Sequence, residues 1–133
     1  MAVRSPLTPG AEEWYRRSGT PLFAWSSLAH GFLSGRIRSD RTSDLDPDVT
    51  ASLLETYGSD DNFERLRRAE ALAAEKGVTV PQIALAFILE QQLAVYAVVA
   101  SNTPEEFSAN AAALDVSLTR AELDWLDLLA NER

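Results

Sequence analysis

Apolar and polar positions change rhythm several times along the chain, and the changes mark out its elements. AEEWYRRSG (11–19) reads as a short helix. Glu12 and Glu13 lie in its first turn and Arg16 and Arg17 in its last, which suits the helix dipole, and Gly19 stops it. Before it, Pro6, Pro9 and Gly10 predict an irregular first ten residues. TPLFAW (20–25) is a short apolar run, expected to be a buried strand. The stretch 38–61, RSDRTSDLDPDVTASLLETYGSDD, is polar and too long for an ordinary connection. It is expected to be a functional or mobile loop, with ASLLETYG as a short helix inside it.

A helical period begins at Asn62. NFERLRRAEALAAEKG sets Phe63, Leu66, Ala69, Leu72 and Ala73 on one face, and Gly77 ends it. A second helix starts at once, with Thr79 as N-cap and Pro81 in the first turn. Its run from Ile83 to Leu89 is apolar nearly all round, so it is buried on more than one side. VYAVVA (95–100) is β-branched and strand-like. Thr103, Pro104 and Glu106 then spell a capping box, and Thr119 with Glu122 repeats the device. The last helix carries an apolar stripe of Leu123, Trp125, Leu126 and Leu129.

The order is helix, strand, long loop, helix, helix, strand, helix, helix. Strands alternating with helices imply βαβ units and parallel pairing. Two strands are too few for a parallel sheet covered on both faces. The chain therefore reads as part of a larger α/β sheet or barrel. Alone, it would leave strand edges open and expose the apolar helix at 81–92, which predicts dimerisation, aggregation or partial disorder.

Composition narrows the chemistry. Cysteine is absent and His30 is the single histidine, so no disulfide, thiolate or metal site is expected. The net charge of -8 argues against a nucleic-acid partner, which wants a basic face. No apolar run has the roughly 20 residues a membrane span needs. MAVRSPLTPGAEEW lacks the apolar core of a secretory signal, and the expected location is the cytoplasm.

Both strands end in small residues. Ser26, Ser27, Gly31, Ser34 and Gly35 follow the first, and Ala100, Ser101, Asn102, Thr103 and Pro104 follow the second. Ligands bind at the C-terminal ends of parallel strands, and backbone amides at helix starts suit phosphate. A phosphate-bearing ligand with a flat ring would account for the small residues and for Trp25. A tight turn around a core tryptophan also accounts for them, and on these residues alone it is the simpler reading.

LFAWSSLAHGFLSGR resembles the strand-seven segment of the aldo-keto reductases. GVTVPQIALAFILEQ resembles the helix before strand eight, and VVASNTPEEFSANAAALDVSLTRAELDWLD resembles strand eight, its cofactor-binding turn and the closing helices. The resemblance runs from about Trp14 to Leu128. It implies an α/β fold that is part of a (β/α)8 TIM barrel: residues 1–133 as one C-terminal, cofactor-binding part, about the last two strands with their helices, interrupted by a variable loop at 38–61. It also implies NADP(H) or NAD(H) as cofactor and reduction of aldehydes and ketones as the parent activity.

Carried over residue by residue, Trp25 matches the aromatic that stacks on nicotinamide. Ser26, Leu28 and Gly31 match the turn around the pyrophosphate, with Arg36 as a charge partner. Ser101 and Asn102 match the turn by the adenosine phosphate, and Asn110 the asparagine that contacts adenine. There are departures. Ser27 replaces a common Pro, so the turn is expected to lose rigidity; Ala100 replaces Lys or Gly, and Ala109 a glutamate beside the adenosine. Glu106 stands where many members carry an Arg for the 2′-phosphate. A full enzyme with this segment would prefer NADH or bind NADPH weakly; a capping role explains Glu106 as well.

The family's catalytic Asp, Tyr, Lys and His come from earlier strands, and none of those motifs appears. Tyr15, Tyr57 and Tyr96 fall in a helix, a loop and a strand, Lys76 reads as a solvated residue at a helix end, and His30 as an exposed turn residue. No catalytic residue is nominated. The leading reading is a cofactor-binding reductase segment, inactive alone, completed by an N-terminal half or by homo-oligomerisation. The alternatives are a non-catalytic nucleotide- or protein-binding module that folds by self-association, and a nonfunctional remnant.

Overall fold

The computed structural model describes residues 8–133. Its first helix, α1 (Pro9–Ser18), starts two residues earlier than the sequence pattern predicts. Thr8 caps it by accepting the Ala11 N–H, and Pro9 takes the first helical position, where a missing N–H costs nothing. Pro9 and Gly10 thus begin the helix instead of prolonging an irregular lead; the other residues of that expectation lie outside the described range. Gly19 ends it in the left-handed conformation. Every residue of α1 is at least partly exposed.

The strands β1 (Leu22–Ala24) and β2 (Val95–Ala97) pair in parallel, with Leu22 opposite Val95, Phe23 opposite Tyr96 and Ala24 opposite Ala97. Among the described residues the sheet has these two strands. The first is not buried as expected, and the second is equally open. Phe23 is 67% exposed and Tyr96 54%, because their shared face carries no covering layer. The two rings stack on each other there, 5.4 Å apart. The fold is a helix-rich α/β arrangement with a small parallel sheet.

Between the strands lie α2 (Pro47–Tyr57), α3 (Asp60–Lys76) and α4 (Val80–Leu89). The helix α2 is longer than expected, because Asp46 and Pro47 supply its N-cap and first position. Tyr57 is therefore the last residue of a helix, and it is buried. The rest of 38–61 is tied down. Arg38 pairs with Asp44, Arg41 with Asp60, and the Ser39 hydroxyl and N–H both donate to Glu70.

The predicted face of α3 is buried throughout. The helix α4 buries five consecutive residues, Ile83 to Phe87, since α3, β2 and the segment after α5 (Pro104–Ala111) surround it. Most of its apolar surface is covered, contrary to the expectation of exposure; Ile88 and Leu89 stay partly exposed. One core cluster joins Phe32, Leu33, Ile37, Tyr57, Phe63 and Leu66; a second joins Leu72, Ile83, Phe87 and Trp125. The closing helix α6 (Arg120–Leu126) buries Leu123, Trp125 and Leu126. Leu129 falls beyond its end and is 64% exposed, so it leaves the expected stripe.

Three polar residues of α3 are buried without having been anticipated: Asn62, Arg65 and Arg68. Arg68 donates to the carbonyls of Trp125 at 2.6 Å and Ala130 at 2.8 Å, satisfying acceptors at the end of α6. Arg65 lies 3.7 Å from Asp127. Lys76 is not simply solvated, since it pairs with Glu122 at 2.9 Å. No single helix among the described residues is long and apolar enough to cross a membrane.

Hydrogen bonds from Arg67 and Arg68 pull the Glu64 carboxyl down from 4.5 to about 2. Burial pushes the Glu122 carboxyl up, but Lys76 and the Thr119 N–H outweigh it and leave it lowered. A carboxyl lowered by folding stabilises the fold above its unfolded value and loses that contribution as acid protonates it. Thermal unfolding should therefore shift to lower temperature as pH falls from about 4.5 toward 2, and Glu64→Gln should flatten that fall. A variant with the same acid profile as the parent would assign the loss to other carboxyls.

The bare aromatic face and open strand edges also predict concentration-dependent self-association. Sedimentation velocity should show it, and Phe23→Lys should reduce it. An unchanged distribution in the variant would place the contact elsewhere.

Candidate functional site

The turn after β1 is pinned from beneath. Phe32 and Leu33 are fully enclosed and Leu28 packs on the same core cluster. Ser27 is buried too, and its hydroxyl donates to the Ala24 carbonyl at 2.8 Å. The turn thus gains a hydrogen bond at the position where rigidity was expected to be lost.

With those residues facing inward, the chain has to bend sharply. Ser26, Ala29 and His30 all have positive φ (56°, 50° and 53°), as do Gly31 at 107° and Gly35 at 82°. Non-glycine residues rarely adopt such values, and clusters of them mark functional turns. The bend leaves Trp25 76% exposed, so the alternative of a core tryptophan fails. The indole is braced from the side. The His30 ring meets it edge-on at 5.2 Å, and the Ser26 hydroxyl is hydrogen-bonded to His30 Nε2 at 3.0 Å. His30 is therefore more than a free turn residue.

The second turn joins the first through backbone and charge. The Val98 N–H donates to the Ala24 carbonyl at 2.9 Å, so both strand ends are held together. Asn110 Nδ2 donates to the Ser101 hydroxyl at 3.1 Å, linking the end of α5 to the turn before it. Thr103 accepts the Glu106 N–H at 3.1 Å. The expected capping box is only half formed: Glu106 Oε2 accepts from the Asn102 N–H at 2.7 Å, not from the cap residue itself. Its Oε1 lies 3.9 Å from Arg36 Nη2, the one charge contact described between the two turns.

The predicted residues thus form two groups. Trp25, Ser26, Leu28 and Gly31 belong to the strained turn, although Leu28 serves as its anchor. Ser101, Asn102 and Asn110 form the second group, and Arg36 reaches it through Glu106. His30 as a brace and Ser27 as a tie are additions that the structure makes to the predicted set. The spacing of Ser26 and His30, four residues apart in a glycine-containing turn, is the signal that points to the brace.

The aldo/keto reductase family model matches residues 8–131. This chain belongs to the aldo/keto reductase family. It is also similar to versiconal hemiacetal acetate reductase of Aspergillus parasiticus, with 31% identity over 111 residues. That match takes in 83% of this chain and 32% of the relative, so the chain spans about a third of the relative's length. Within this aldo/keto reductase segment, the matched range includes both strand-end turns and the helices that fix them.

Gly31 gives a direct test of the bend. A Cβ there would meet only Ser34 Oγ at 3.9 Å, so space is not limiting and the backbone angle is. Gly31→Ala should cost about 1–2 kcal/mol in denaturant unfolding. A loss near zero would mean that the turn relaxes to negative φ without penalty.

Proposed function

We propose that the chain is the nicotinamide-dinucleotide-binding segment of an aldo/keto reductase. Its parent activity is the reduction of aldehydes or ketones, with the cofactor supplying the reducing equivalent when bound. The observation that carries this reading is the exposed Trp25, braced by His30 at the mouth of a strained, core-anchored turn. An indole held outward offers a stacking face to a flat ring. These features fit the group. Trp25 would carry the nicotinamide, Ser26 and Gly31 would border the diphosphate with Leu28 holding the turn, and Arg36 would balance charge. Ser101, Asn102 and Asn110 would face the adenosine end.

In the same reading no proton donor is assigned to this chain, and the segment is inactive alone. The bare face of Phe23 and Tyr96 and the open edges of β1 and β2 are where further strands of a barrel would add, whether from an N-terminal half or, in its place, a second copy.

Thermal unfolding followed by circular dichroism, alone and with excess NADH or NADPH, tests the proposal. A ligand that binds only the folded state raises the transition. The expected result is a rise with at least one dinucleotide, reduced by about half or more in Trp25→Ala while the unliganded transition moves little. A transition indifferent to both cofactors would refute the site. An equal rise in the variant would remove the stacking role.

A further inference from the structure

We propose that Ser26 is a nucleophile with His30 as its general base, and that the turn after β1 hydrolyses aryl esters. This activity needs no dinucleotide and is separate from reduction.

Three observations lead to it. First, the two groups that a serine nucleophile requires are within reach of each other. Ser26 Oγ lies 3.0 Å from His30 Nε2, inside the range for a nucleophile and its base. With the imidazole proton on Nδ1, the hydroxyl donates to Nε2. Second, the backbone displays the pair. Ser26 comes two residues after the end of β1 with φ 56°, and His30 follows with φ 53°. A sharp, strained turn just past a strand is where a serine nucleophile is presented to substrate. The Ser27 tie and the enclosed Phe32 keep this turn from relaxing. Third, the imidazole is oriented. The Trp25 ring meets it edge-on at 5.2 Å, and the buried Tyr57 ring lies 6.1 Å away. These contacts supply the orienting group that an active base needs.

The substrate class follows from the same residues. Aromatic rings orient an imidazole without setting beside it the negative charge that a triad carboxylate supplies. The dyad is thus a weak one, suited to esters with a good leaving group and not to amides. The exposed indole of Trp25 offers a stacking face to an aromatic leaving group.

In the first step Ser26 Oγ attacks the ester carbonyl carbon, and its proton passes to His30 Nε2. The bond from carbon to the aryl oxygen breaks, and His30 returns the proton to the departing aryloxide. Water then attacks the acyl-serine with the same base, which releases the carboxylic acid and restores Ser26.

The probe is p-nitrophenyl acetate, mixed with the 133-residue chain. Absorbance follows nitrophenolate release, and peptide mass mapping locates the acetyl group. The parent should show a burst and then slow turnover, with the acetyl group on Ser26. Ser26→Ala and His30→Gln should each slow release about tenfold or more. Ser52→Ala, at an exposed position of α2, should leave it unchanged. Circular dichroism checks that the variants fold, and mapping of the parent decides the question without them. Acetyl found on Lys76 or the N-terminal amine and not on Ser26 would overturn the proposal. Equal release by the parent and Ser26→Ala would do the same. Loss in Ser26→Ala but not in His30→Gln would remove the base. A chain stabilised by dinucleotide yet unreactive to the ester would lose this activity and keep the cofactor site. A chain acetylated on Ser26 yet indifferent to dinucleotide would do the reverse.

Discussion

The enclosure of Phe32 and Leu33 is the constraint on which the rest depends. They come from an irregular turn, yet they sit in the same cluster as Tyr57, Phe63 and Leu66. Burying two large side chains from so short a stretch is worth several kcal/mol, on the order of 1.5–3 for each. That gain is large enough to offset the left-handed backbone of Ser26, Ala29 and His30, which costs roughly 1–2 kcal/mol per residue. The strain is thus a consequence of packing. Its visible result is that Trp25, Ser26 and His30 face outward while their neighbours face in.

The arginines of α3 do comparable work on the other side of the core. Arg68 supplies donors to the carbonyls at the end of α6 and lies against the Trp125 ring, at 5.2 Å from its centroid. Glu64 holds its Nε at 2.7 Å. A buried guanidinium is tolerable here because carbonyl, carboxylate and aromatic partners surround it. The helix that carries the core face therefore also fixes the closing helix.

Much of this was legible in the sequence, and the exceptions have physical causes. Gly19 and Gly77, the Thr caps and the apolar face of α3 rest on local chemistry, so their positions follow from neighbours a few residues away. The start of α1 at Pro9 and the length of α2 were readable in principle from Thr8-Pro9 and Asp46-Pro47, both N-cap signals. The burial of Arg65 and Arg68 was not, because it depends on carbonyls contributed by a distant helix. The exposure of Phe23 and Trp25 was not legible either. An apolar residue at a strand position reads as buried, and only the number of layers around the sheet decides otherwise. For the site, residue types came from family likeness, whereas the Arg36–Glu106 contact joins segments far apart in the chain and depends on how the two turns meet in space.

The parallel pairing of Leu22 with Val95 has a kinetic consequence. The two strands are separated by the whole of α2, α3 and α4, so their contact closes a long loop. Helical turns and the contact of α3 with α4 form from segments close in the chain, and such local contacts form early. The sheet can gain its hydrogen bonds only after that loop has closed. The turns at the two strand ends would then be among the last parts of the molecule to reach their native arrangement. A nascent chain would carry an assembled helical core before its two strand-end turns come together.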